Sequence, residues 1–164
     1  MSVARILSAL IIAPRRVFGS LEPLLLLGIR LWVGWDFFKA GLLKIGSWQT
    51  TLLLFREEYH VPLLPSDVAA VVGTAGELAF PVLLWAGIAG RLSALGLSAV
   101  NVLAVISYAH VLLTEGFEAA LGQHYLWGFG LVVLIVFGPG KLSLDYLGLR
   151  LGSRPGVARP VRAV

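Results

Sequence analysis

Seven residues of this 164-residue chain bring polar chemistry into apolar stretches: Arg30, Lys44, Glu77, Asn101, Tyr108, His110 and His124. Arg30 and Glu77 are opposite charges able to neutralise each other. Lys44, His110 and His124 suit headgroup binding or proton relay, since the imidazole pKa lies near physiological pH. Cysteine is absent, which removes disulfides, thiol redox chemistry, iron–sulfur clusters and Cys-ligated zinc. His60, His110 and His124 do not follow a metal or haem ligand spacing. No flavin motif is present either, so any redox chemistry needs a bound quinone or a partner to supply it.

The elements that must position these groups are helices in a membrane. Hydrophobic residues make up 58% of the chain and charged residues 13%, with a mean hydropathy of +0.88. A soluble domain carries about 25% charge. Four stretches approach the roughly 20 apolar residues a spanning helix needs: Leu21 to Leu43, Val68 to Gly90, Leu92 to Leu113 and Ala119 to Phe137. Gly138-Pro139-Gly140 ends the last one, because proline lacks the N–H and glycine costs backbone entropy. No sustained two-residue alternation marks a strand. The fold class expected is an all-α integral membrane protein, a four-transmembrane-helix bundle.

The net charge of +4 reports topology rather than nucleic-acid binding. Arg5, Arg15, Arg16, Arg91, Lys141, Arg150, Arg154, Arg159 and Arg162 fall on one side of the spans, nine basic residues against Lys44 and Arg56 on the other. The positive-inside rule then puts both termini in the cytoplasm. Residues 1–20 read as a cytoplasmic amphipathic segment, with Val3, Ile6, Leu7, Leu10 and Ile11 on one helical face. Pro14-Arg15-Arg16 stands where a signal peptide would have its cleavage site. Residues 21–147 form the membrane domain, and 148–164 a basic, disordered cytoplasmic tail.

Between the first two spans, Trp48, Leu52, Phe55 and Tyr59 share one helical face. This predicts a short outer interfacial helix, acting as a collar on the bundle or as a gate over a lateral site. Ser66 or Asp67 is placed to cap the second span. Trp48, Tyr59, Tyr125 and Trp127 read as an aromatic belt, or as the lining of a quinone headgroup site.

Ionisable groups inside spans are costly and mark functional sites. At about 1.5 Å per residue, Arg30 lies roughly 20 Å from the outer end of its span, Asn101 roughly 18 Å and Glu77 roughly 15 Å. Asp36 lies near roughly 10 Å and Lys39 near roughly 6 Å. A deep set of Arg30, Glu77 and Asn101 therefore sits beneath Lys44, Tyr108, His110 and His124 in a polar cavity open to the outer half. The competing reading is structural. Arg30 and Glu77 staple two spans without any cavity, and Asp36 pairs with Lys39 three residues along its own helix.

The first span reads Arg30-x3-Gly34-x2-Phe37-x3-Gly41-x2-Lys44, and the second Glu77, Gly87 and Arg91-Leu92-Ser93-Ala94. The third span ends on Ala109-His110, and the fourth on Gly138-Pro139-Gly140-Lys141-Leu142-Ser143-Leu144-Asp145. As a set these resemble the DoxX family of small bacterial four-span membrane proteins, from about Leu21 to Leu147. The resemblance implies residence in the bacterial inner membrane. The family is similar to DoxD, the membrane subunit of a thiosulfate:quinone oxidoreductase, which implies quinone as a cofactor and redox-complex subunits as partners. Many members enter the fourth span through Gly-Gly-Glu, where this chain has Gly122-Gln123-His124. Two functions follow: a quinone-binding, non-catalytic redox subunit, or a small transporter or assembly scaffold with an Arg–Glu pair. The second needs a homo-oligomer, with Gly28, Gly34 and Gly41, or Gly87, Gly90 and Gly96, at close helix contacts.

Overall fold

The computed structural model describes residues 3–152, with side chains from Phe18 onward. Seven helices follow one another: α1 (Val3–Gly46), α2 (Trp48–Glu57), α3 (Ser66–Ala86), α4 (Gly90–Ser107), α5 (Ala109–Leu112), α6 (Glu118–Phe137) and α7 (Leu144–Gly152). Among the described residues there is no strand. The bundle is a closed ring in which α1 packs on α3, α3 on α4, α4 on α6, and α6 back on α1. Its core is Leu26, Val33, Phe37, Leu84, Ala94, Leu97, Leu131 and Leu134. Helices α3, α4 and α6 are each long and apolar enough to cross a membrane. The C-terminal half of α1 is as long but carries Arg30, Asp36 and Lys39.

Several boundaries differ from the sequence reading. The amphipathic segment and the first span are one uninterrupted helix of 44 residues, and Pro14 and Pro23 do not break it. A proline inside a helix removes one hydrogen bond and crowds one carbonyl, which a long helix absorbs as a local defect. The third span stops at Ser107 rather than Leu113, because Tyr108 leaves the helical region and a single further turn, α5, follows. Neither Ser66 nor Asp67 caps α3: the N-cap position is Pro65, without a side-chain bond, and Asp67 instead meets Arg56 at 2.7 Å. The expected tail begins as helix α7, and its residues from Ser153 lie outside the described part.

Packing is tightest where glycine lets helices approach. A Cβ on Gly34 would overlap the Trp85 indole, one on Gly41 the Leu78 side chain, and one on Gly96 the Phe80 ring. Gly28 has nothing near it. The antiparallel register of α3 on α4 follows from the close approach of Gly76 to Val100 and of Gly96 to Phe80. Continuing that register by one turn brings Val72 opposite Leu103 and Ala104.

Candidate functional site

The bundle has two polar ends of opposite character. At the α7 end the hydrogen bonds of Arg30, Asp145 and Ser143 all run to the backbone, while Arg30 Nε and Trp85 Nε1 are buried without a hydrogen-bond partner among the described residues. Arg30 is 0% exposed. Its Nη1 donates to the carbonyls of Leu84 at 3.3 Å and Trp85 at 3.4 Å, and its Nη2 donates to Leu142 O. Those carbonyls sit at the end of α3, where the last turn has no intrahelical donors, and in the segment leading to α7. Asp145 accepts from Ala89 N and Gly90 N, both at 2.8 Å, and so serves the free N–H groups at the start of α4. Gly87 closes α3 in the left-handed conformation, and a Cβ there would strike Ser143 and Arg30. Gly138 and Gly140 also have positive φ, which lets the chain turn back beneath Arg30. The Ser143 hydroxyl bridges Gly140 O and Tyr146 N.

At the α2 end the polar groups face a cavity of about 330 Å³. Lys44 Nζ lies 2.6 Å from both carboxylate oxygens of Glu77. Glu77 is 8% exposed. Thr51 Oγ1 donates to Lys44 O at 2.9 Å and fixes the turn from α1 into α2. Further toward the α7 end Asp36 accepts from Trp127 Nε1 at 3.0 Å and pairs with Lys39 at 2.8 Å. The opposite wall holds His124, whose ring stands edge-on to Trp127 with centroids 5.0 Å apart. Asn101 binds His124 twice, with Nδ2 to the backbone carbonyl at 3.0 Å and Oδ1 against ring Nδ1 at 2.8 Å.

Helix α2 forms the roof. Its Phe55 packs on Ala69 and Ala70 of α3, and the aromatic series continues Phe55–Tyr59 at 4.9 Å and Tyr59–Tyr108 at 5.3 Å, both edge-to-face. His60 N donates to Ser107 O at 2.9 Å and ties the loop after α2 to the end of α4. Burial holds the Tyr59 phenol above its usual pKa, because the ionised form is desolvated. Arg56, outside the bundle, is held above the usual guanidinium value by its hydrogen bond to Asp67.

The structure therefore separates the residues that the sequence groups together. Glu77, Lys44, Tyr108 and His124 line one cavity. Asn101 stands behind His124. His110 is exposed on α5, its ring tilted against His60 with centroids 4.5 Å apart, and it does not line the cavity. Arg30 does not pair with Glu77 and is not the cavity floor. Equal depth from the span ends does not bring two residues together, because the N-terminal part of α3 packs on α2. Glu77 consequently meets Lys44, fourteen residues and roughly 21 Å along α1 from Arg30. Asp36 becomes the deepest polar group of the cavity. Trp127, expected in a belt, is turned inward by its bond to Asp36. Tyr59 and the buried Ser107 hydroxyl, which has no hydrogen-bond partner among the described residues, also line the cavity. Tyr59 sat on the helical face already read for α2, whereas nothing in the sequence singled out Ser107. No group of three potential metal ligands occurs among the described residues.

The sequence model of the DoxX family matches residues 25–110, from the α1 segment that carries Arg30 and Lys44 into α5. The chain belongs to the DoxX family. An uncharacterized protein of Haemophilus influenzae is 32% identical over 127 residues, which is 74% of this chain and 82% of that protein. No solved structure matches. Arg30, Lys44 and Glu77 lie inside the matched region of this DoxX protein, while Leu142, His124 and Asp145 lie beyond it.

Proposed function

We propose that this DoxX protein is a four-span inner-membrane protein whose α2-end cavity binds a quinone or a similar amphipathic molecule for a redox complex. The C-terminal half of α1 is the fourth span. Its charges are accommodated because Arg30 is bonded to carbonyls, Asp36 to Trp127 and Lys39, and Lys44 to Glu77. The nine-to-two split of basic residues puts both termini in the cytoplasm and the cavity in the outer half of the bilayer.

The observation that carries the reading is the side opening of the cavity. Val72 of α3 and Leu103 of α4 line it, yet they are 55% and 41% exposed on the bundle surface. The α3–α4 register puts them opposite each other. A headgroup passing between them from lipid meets Lys44 and His124, while a tail stays among apolar side chains at the portal. Pockets for small ligands are mostly apolar with a few placed polar groups, and this one has that composition. No group of the chain carries electrons, so the protein holds and positions the ligand rather than oxidising it alone. A scaffold has no Arg–Glu staple here, since Arg30 bonds carbonyls and Glu77 pairs with Lys44.

Purification in mild detergent followed by organic extraction tests this reading. A stoichiometric quinone is expected with the native chain and a much reduced one with Ala104→Trp, which fills the portal. Equal, trace quinone in both would overturn it.

A further inference from the structure

We infer that Asn101 fixes His124 as the Nδ1–H tautomer, so that Nε2 is a lone-pair acceptor in the cavity and the bound molecule carries a hydroxyl donor. This rests on the ligand-binding reading above and specifies its chemical class: the reduced, hydroquinone form rather than the quinone. The His124 backbone carbonyl only accepts, so the Asn101 atom 3.0 Å from it is the amide nitrogen. The amide's other atom, facing ring Nδ1 at 2.8 Å, is then the oxygen. An oxygen acceptor demands a proton on Nδ1. In a neutral imidazole the second nitrogen is then bare. Asn101 is 5% exposed, and both of its bonds go to the same residue, so the amide has little reason to flip.

The ring's position completes the assignment. His124 lines the cavity and stands edge-on to Trp127, whose own N–H is used on Asp36. Nε2 lies on the ring edge away from Asn101 and has no hydrogen-bond partner among the described residues. Lys44 already donates to Glu77, and Asp36 already accepts from Trp127 and Lys39. A ligand hydroxyl donating to Nε2 meets an open acceptor, whereas a quinone carbonyl placed at that nitrogen would face lone pair against lone pair and could find a donor only elsewhere, such as the Ser107 hydroxyl. In this arrangement His124 is a binding residue and Asn101 a positioning residue that acts through it.

The test combines two measurements on the full chain in lipid nanodiscs. Nitrogen-15 spectra of histidine-labelled protein, with His124 assigned by comparison with His124→Phe, report which ring nitrogen bears the proton. Binding of decylubiquinol under anaerobic reducing conditions is compared with that of decylubiquinone for the native chain, Asn101→Leu and His124→Phe. The expected results are a proton on Nδ1 only, and about tenfold tighter binding of the quinol, the size of one hydrogen bond. That preference should fall toward one in both variants. Should His124→Phe fail to fold, Asn101→Leu carries the comparison, and its spectrum should show the tautomers released. A proton on Nε2 in the native chain, on both nitrogens, or a preference that persists in Asn101→Leu overturns the assignment. Equal binding of both forms overturns the assignment alone. No binding of either form overturns the quinone reading as well.

Discussion

At the α7 end of the bundle a buried arginine donates to three main-chain carbonyls and a carboxylate caps a helix, and every bond joins chain to chain. At the α2 end a lysine and a glutamate pair directly at 2.6 Å, beside a cavity that an unpartnered hydroxyl and the His124 ring also line. Both ends contain charges that a membrane protein would normally avoid. The difference lies in what satisfies them. Main-chain partners are supplied by the fold itself and cannot be exchanged without unfolding helix ends. Side-chain partners around a void can be exchanged for a ligand. Charge inside the membrane is therefore a poor guide to function by itself, and the kind of partner is the better one.

Substitutions at the two ends should separate them, with the largest effect at Arg30. Arg30→Ala strips three carbonyls of charged donors, each such bond being worth roughly 1.5–3 kcal/mol and the sum less than additive. A loss of about 4 kcal/mol or more is expected in denaturant titration of the purified protein. No apolar replacement should recover it, because Leu84 O keeps only its bond from Gly87 N and Trp85 O and Leu142 O lose the Arg30 donor. Lys44→Met alone should cost about 3 kcal/mol, since Glu77 is left uncompensated. Lys44→Met with Glu77→Leu should restore stability to within about 1 kcal/mol of the native chain while abolishing quinone retention. A double variant no more stable than Lys44→Met would erase the contrast between the ends.

Smaller effects sharpen it. Asp145→Ala removes a cap from α4 and should cost about 1–2 kcal/mol, with quinone binding unchanged. Asp145→Asn should recover part of that loss by keeping one acceptor. Arg56→Ala breaks a fully solvated pair with Asp67 and should leave unfolding midpoints unaltered, as exposed pairs contribute little and are screened by salt. A clear shift in that variant would mean that α2 is held by its surface charges rather than by Phe55 on Ala69 and Ala70.

Much of the bundle was readable from residue types. The hydrophobic runs located α3, α4 and α6 to within a few residues, apart from the end of α4. The Trp48–Leu52–Phe55–Tyr59 spacing gave α2, and the Asp36–Lys39 spacing gave its ion pair. Helical periodicity is local, so these features need no knowledge of neighbours. Partnership across helices is not local. The pairing of Arg30 with Glu77 failed because register depends on where α3 begins relative to α1, and α2 sets that offset by occupying the space beside the start of α3. Lys44 was placed at the cavity mouth, but its bond to Glu77 needed the same offset. The Asp145 cap was visible only as part of the Gly138-Pro139-Gly140 ending. A carboxylate shortly after a helix-stopping motif was the available signal, but its target lay in a different loop. Ser107 gave no signal, because a serine near a helix end is ordinary in any sequence.

The central claim is that the α2 end holds a ligand and the α7 end holds the fold. Photolabelling of the native chain in nanodiscs with an azidoquinone, followed by peptide mapping, tests it most directly. The account predicts adducts within residues 36–44, 69–77 and 100–108, competed by unlabelled quinol and lost in the Lys44→Met, Glu77→Leu double variant. Adducts spread over the lipid-facing surface of the helices, or gathered around Arg30 and Leu142, would contradict it.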